Sequence, residues 1–191
     1  MKQNIKEHYN DTVKGIFWGV LDFFKYMLIT GIVAFLITRL LFPIAVIPTS
    51  SMENEIPANS FVVCSKLSYW GSRSPQRGDV ILFYRSDKTT DGKLYTKRIV
   101  GLPGDTVTIK NGETYINGIL FPEPWLKEEP EKLDFGPYEI PSGQYFCMGD
   151  NRNHSYDCRY WEEHFIEESN IVAKCNIVLS YQKISLVDDH H

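Results

Sequence analysis

No run of lysine and arginine in this sequence is long enough to track a phosphate backbone, and a net charge of −4 with pI near 5.7 supplies no basic excess. Nucleic acid is therefore not expected as a partner. The chain also lacks any Cys-x-x-Cys pair. Its four cysteines, Cys64, Cys147, Cys158 and Cys175, and its five histidines are scattered without the spacing of a zinc site. The cysteines read first as core or free thiols, and second as a bridge if the domain lies outside the cell. Internal repeats and low-complexity tracts are absent as well. Hydrophobic residues at 43% and charged residues at 23% are ordinary for a folded protein, which argues against disorder. The 191 residues leave room for one domain of about 100–150 residues plus one additional element.

That element is an apolar run over residues 15–42, GIFWGVLDFFKYMLITGIVAFLITRLLF. As one helix it would span about 42 Å against a hydrocarbon core of about 30 Å. The longest stretch without charge is only Tyr26 to Thr38, so Lys25 and Arg39 must reach toward opposite interfaces if the helix spans. Asp22 is placed to pair with Lys25 on one face, Trp18 and Tyr26 suit an interface, and Pro43 supplies a stop. A buried helix of a soluble protein would show a polar face with helical period, and none recurs; the apolar character instead continues through Leu40 to Val46. A cleavable leader would be shorter and would end in a small-x-small site. Lys2, Lys6 and Lys14 precede the span, which predicts a single-pass plasma-membrane protein with a cytoplasmic N-terminus and its remaining domain outside.

Beyond the span the period changes from helical to alternating. Phe61–Leu67, Asp79–Tyr84 and Lys93–Val100 read as strands bounded by Gly and Pro, and Asn111-Gly112 and Asn117-Gly118 are hairpin turn signals. Two later strands are expected in QYFCMGD and NIVLSYQKISLV, while Phe121–Gly143, rich in Pro and acidic residues, reads as a surface excursion. The expected fold class is mostly β: an anchor over 1–45, then an antiparallel β domain over 46–191 with a small cap over 105–144.

The chemistry-bearing residues cluster in short segments. Thr49-Ser50-Ser51-Met52 follows the apolar run behind Pro48. Serine needs a base to take its proton. Lys97 in YTKRIVGLPGD lies on a strand face shared with Tyr95 and Ile99, where burial would depress its pKa and leave a neutral amine. His154 in GDNRNHSYDCR is the other candidate base. Singly, such serines are more often loop hydroxyls and such cations solvated strand charges.

Taken together, IPTSSM, RGDVILF, YTKRIVGLPGD and GDNRNHSYDCR occur in one order behind an apolar segment. In this the sequence resembles the bacterial type I signal peptidases from about Lys25 to Tyr181. The resemblance implies a membrane-anchored serine endopeptidase with a Ser-Lys dyad, on a signal peptidase/LexA-like β fold. It would remove signal peptides from secreted preproteins near the secretion translocon and the lipid bilayer, using no metal or other cofactor. Position by position it makes Ser51 the nucleophile and Lys97 the general base, with the Thr49 hydroxyl and the Ser51 N–H as the oxyanion hole. Ser155 would orient the lysine amine. Asp157 and Arg159 would form a supporting ion pair, with Arg98 as a third member. Substrates carry small residues, usually alanine, one and three positions before the cut, and Met52 and Ile99 are candidate lining residues for those pockets.

Three departures stand out. Asn54-Glu55 occupies the place of a common Pro-Thr, Ser50 stands where glycine is frequent, and Cys158 replaces a usual serine. The first affects the substrate groove and keeps open a non-catalytic alternative, a membrane-anchored β module that binds signal peptides or partner proteins. A third reading is a related Ser-Lys protease that cuts itself or a few clients.

Overall fold

The computed structural model describes residues 2–85, 93–181 and 184–188, with side chains from residue 14 onward. The chain divides into two compact units, Met1–Leu41 and Phe42–His191.

The first unit is one helix, α1 (Lys2–Leu41). It contains no proline and stops two residues before Pro43, whose ring disfavours helical backbone at the residue before it. Arg39 in its last turn complements the negative end of the helix dipole, and Thr38 Oγ1 donates to the Ala34 carbonyl at 2.8 Å. The expected Asp22–Lys25 pair forms at 3.4 Å. Large apolar side chains point outward all round, among them Phe17, Leu21, Phe24, Leu28 and Phe35. The stretch Lys14–Leu41 is long and apolar enough to cross a membrane.

The apolar run does not continue as helix to Val46. Residues Ile44–Ile47 form a strand, β1, because Pro43 breaks the helix and the β-branched Ile44, Val46 and Ile47 favour extended backbone. The second unit continues with β2 (Ser60–Ser65), β3 (Val80–Tyr84), β4 (Leu94–Gly101), β5 (Thr106–Lys110), β6 (Glu113–Ile116) and β7 (Ile119–Leu120). It ends with β8 (Phe135–Glu139), β9 (Gln144–Met148), β10 (Ile166–Glu167), β11 (Ile171–Leu179) and β12 (Ile184–Leu186).

All pairings are antiparallel, and the described strands form two sheets. The larger runs β1-β2-β11-β3-β4-β9-β10, with β12 beside β11, and the smaller runs β7-β6-β5-β8. Both hairpin signals are realised. Asn111-Gly112 and Asn117-Gly118 adopt positive φ at both residues, the backbone that a two-residue hairpin turn demands, and they join β5 to β6 and β6 to β7.

Two apolar clusters fill the unit. One gathers Ile81, Phe83, Ile99, Phe146, Cys147 and Trp161; the other gathers Met52, Ile56, Val62, Val80, Cys175 and Val178. β3 feeds both, because Ile81 and Phe83 alternate with Val80 and Leu82 across the sheet. All four cysteines are free and buried, and Cys64 faces Cys175 across β2 and β11 with the sulfurs 3.4 Å apart.

The segment Phe121–Gly143 is more than a surface excursion. It contributes β8, which pairs with β5, and it buries Trp125 and Ile140. Its prolines interrupt the alternation by which a strand is recognised, so its apolar residues gave no periodic signal.

Candidate active site

Ser51 opens a turn between β1 and β2 and is 7% exposed. The turn is pinned by two fully buried side chains, Met52 and Ile56, and closed by hydrogen bonds from Glu53 N to Ser50 O at 3.0 Å and from Ile56 N to Met52 O at 2.7 Å. Lys97 lies mid-strand in β4, paired with Ile81 of β3, and is 4% exposed. Sheet alternation aims it inward, and its Nζ reaches Ser51 Oγ at 2.6 Å across 46 residues of sequence. The same Nζ donates to the Thr96 carbonyl at 3.1 Å, and Thr49 Oγ1 lies 3.3 Å from Ser51 Oγ.

Burial lowers the Lys97 pKa below its ordinary value of 10.5, while the charges of Asp157 and Asp150 work against the fall. The two Nζ contacts suit a neutral amine. The two N–H groups of such an amine suffice for both, one to the Thr96 carbonyl and one to Ser51 Oγ.

A second loop, residues 149–159, closes over the serine. Asn151 donates from its backbone N–H to the Ser51 carbonyl and from Nδ2 to the Ser50 carbonyl, both at 3.1 Å. Asp157 is fully buried. It accepts from Arg159 Nε at 2.8 Å, from the Gly149 N–H at 3.0 Å and from Ser155 Oγ at 2.7 Å. Burial alone would raise its carboxyl, but the Arg159 guanidinium with these donors holds it below the usual carboxylate range.

The expected residues are brought together with two differences of arrangement. Ser155 is not among the hydrogen-bond partners of Lys97 Nζ; its hydroxyl donates to Asp157. Arg98 does not join the Asp157–Arg159 pair. Side chains alternate along β4, so the residue next to Lys97 points to the opposite face and meets a different carboxylate. There Arg98 makes a bidentate pair with Asp150 at 2.9 and 2.8 Å, donates to the Gly78 and Asp188 carbonyls and stacks on Trp125.

Beside Ser51 runs a groove of about 340 Å³, lined by Val46, Ile47 and Thr49 on one side and by Leu94, Thr96 and Lys97 on the other. Met52 and Ile99 are not among its lining residues, because each is fully buried in one of the two apolar clusters. Asp150, Asn151 and the groove residues Val46, Ile47, Leu94 and Thr96 were missed from sequence as site residues. Their only signal was position: β1 and β4 flank the groove, and Asp150-Asn151 lies in the middle of GDNR. His154 hydrogen-bonds through its backbone N–H to Asn151 O, and no side-chain bond to the serines is formed.

Gly149 is the tightest point of the site. A Cβ there would lie 2.3 Å from Ser155 Oγ and 2.5 Å from the Ser51 carbonyl oxygen. Gly149→Ala is therefore expected to push the Ser51 turn away from Lys97 and to cost about 1–3 kcal/mol in stability by overpacking. Denaturant unfolding and a cleavage assay on the purified variant measure both effects.

Against known proteins, a family model described as "Signal peptidase, peptidase S26" matches residues 20–180. "Signal peptidase I P" from Bacillus subtilis subsp. natto is 38% identical over 151 residues, covering 74% of this chain and 78% of the relative. A Synechocystis sp. relative is 39% identical over 118 residues, 60% of this chain, and the match spans about half, 53%, of that relative's length. A solved signal peptidase I structure from Enterococcus faecalis aligns over 55% of this chain and 98% of its own, at 29% identity with a TM-score of 0.45.

Proposed function

The chain belongs to the signal peptidase family, peptidase S26, serine peptidases that remove signal peptides, and from that premise we propose that Ser51 and Lys97 are the catalytic dyad of a membrane-anchored signal peptidase. The observation that carries this reading is the 2.6 Å contact between Lys97 Nζ and Ser51 Oγ, both side chains being buried. A lysine amine acts as a base only when neutral, and burial moves Lys97 toward that form by lowering its pKa.

In the proposed sequence, neutral Lys97 takes the Ser51 proton as Oγ attacks the carbonyl of the small residue before the cut. The Thr49 hydroxyl and the Ser51 N–H receive the oxyanion; donors placed where charge develops are typically worth about 2.7–4 kcal/mol each. The Lys97 ammonium then protonates the departing amine, which carries off the mature chain. Returned to the neutral form, the same amine takes a proton from water, and the resulting attack releases the signal peptide and frees Ser51. Asp157 and Arg159 fix the loop that carries Ser155, and Ser155 serves the lysine through the Asp157 carboxylate. Arg98 supports the site from the other face of β4.

The groove supports the same substrate class. Its volume admits small side chains, and β1, the last strand of its sheet, offers an edge to which an extended peptide can add. Lys14–Leu41 would hold the enzyme in the plasma membrane, with the N-terminus in the cytoplasm and the β domain outside, next to the translocon that delivers preproteins. Proteolysis of sealed inside-out vesicles should leave the β domain intact; its digestion would reverse the orientation.

Cleavage of a preprotein bearing Ala-x-Ala tests the nucleophile. Activity should vanish in Ser51→Ala and persist in Ser50→Ala, whose serine has its backbone carbonyl, not its hydroxyl, tied to Asn151. The reverse pattern would move the nucleophile to Ser50.

A further inference from the structure

The residues just after Ser51 do more than connect two strands. Met52 and Ile56 are buried anchors, and the three residues between them tie the turn to residues 125–127, Arg98 and Asp188. Glu53 pairs with Lys127 at 2.6 Å. Asn54 donates from Nδ2 to the Trp125 carbonyl at 3.2 Å. Glu55 accepts the Asp188 N–H through Oε1 at 2.9 Å and faces Arg98 through Oε2 at 3.6 Å. Trp125 in turn covers the Arg98 guanidinium, 4.8 Å from its ring centre, and Lys127 N donates to the Asp150 carbonyl at 3.4 Å. One buried cation thus gathers the turn after Ser51, the 125–127 segment, the C-terminal strand exit and the strand that carries Lys97.

The backbone is equally particular. Asn54 has φ of +91°, a region that side-chain-bearing residues seldom occupy and that asparagine tolerates better than most. A proline here, as in the Pro-Thr pattern from which this chain departs, would hold φ near −65°. Asn54-Glu55 therefore specifies a different turn, closed by side chains instead of by a ring.

We propose that Asn54 and Glu55 are positioning residues for Ser51, tying its turn to the 125–127 segment and to Arg98 so that the serine hydroxyl is presented to Lys97. The proposal rests on the reading of Ser51 as the nucleophile. Met52 fixes the depth of the turn, and Asn54 and Glu55 fix its rotation. Misplacement of a reacting group by about 1 Å can cost on the order of 10²-fold in rate. The turn sits three to four residues from the reacting hydroxyl, so loss of its ties should appear in kcat rather than in substrate affinity.

The test uses the full-length protein in detergent, with kcat and KM measured on a preprotein and thermal unfolding measured in parallel. Glu55→Ala should lower kcat by roughly 10- to 100-fold with KM within about twofold, a pattern of lost transition-state geometry. Glu55→Gln, which keeps an acceptor for the Asp188 N–H, should recover part of that loss. Asn54→Gly permits positive φ but loses the Nδ2 tie to Trp125 and should lower kcat part of the way, whereas Asn54→Pro loses both and should fall as far as Glu55→Ala. Glu55→Ala with unchanged kcat, or with its loss confined to KM, would overturn the proposal. So would an equal loss in Glu55→Gln and Glu55→Ala that merely follows the unfolding temperature. Ser51→Ala run beside them separates the two readings: if it stays active the nucleophile assignment fails, and if it is dead while Glu55→Ala is fully active only the positioning role fails.

Discussion

Lys97→Met is expected to lower kcat/KM for preprotein cleavage by roughly 10⁴- to 10⁶-fold, about as far as Ser51→Ala, and the double variant should be no worse than either. The reason is that the two side chains act as one unit in the proposed mechanism. Without the amine the serine proton has no acceptor, and without the hydroxyl the amine has nothing to activate. The same substitution should raise stability at neutral pH. The unfolded chain holds the lysine proton up to about 10.5, whereas the folded chain releases it earlier because burial penalises the ammonium. Between the two pKa values the unfolded state binds more protons, so wild-type stability rises with pH across that window, and the penalty is complete below it. The advantage of Lys97→Met should accordingly shrink as the pH approaches 10.5. Denaturant unfolding at neutral and alkaline pH checks the sign; a variant less stable than wild type at neutral pH would contradict it.

Asp157→Asn should carry the largest stability cost among the supporting residues, about 3–5 kcal/mol, because it strands the Arg159 guanidinium in a buried site. The carboxyl sits below its ordinary value of 3.8 in the folded protein. The unfolded chain therefore takes up the proton first as pH falls. The stabilisation is fully present above about 3.8 and is lost as the pH passes through the lower folded value. The difference between wild type and Asp157→Asn should thus be constant near neutrality and narrow only in strong acid. Unfolding curves from pH 7 downward measure it; a gap that closes already at mildly acidic pH would assign the effect to another group.

Much of this architecture was legible in the sequence because its signals are local. The alternation of YTKRIV and the Asn-Gly dipeptides are enough to identify β4 and the two hairpins. The residues of the proposed dyad were legible for a different reason: short motifs in a fixed order resemble one family. What stayed hidden is pairwise and distant. That Arg98 faces Asp150, and not Asp157, depends on which face of β4 meets which loop. β1 escaped notice because its four residues extend the apolar run of the helix without a change of composition. Trp125 and Glu123 sit among prolines and acidic residues, yet Trp125 covers Arg98 and Glu123 pairs with Arg152 in a buried contact. Those roles come from tertiary contacts that no window of sequence contains.

The claim at the centre of the account is that Lys97 is held as a neutral base against Ser51. Its most direct test is an NMR titration of lysines labelled at Cε, with the Lys97 resonance assigned by its absence in Lys97→Met, read beside the pH dependence of kcat/KM. The account predicts that Lys97 titrates well below 10.5 and that kcat/KM falls on the acid side with that same pKa. A Lys97 resonance titrating at or above 10.5, or cleavage that continues undiminished well below its pKa, would contradict it.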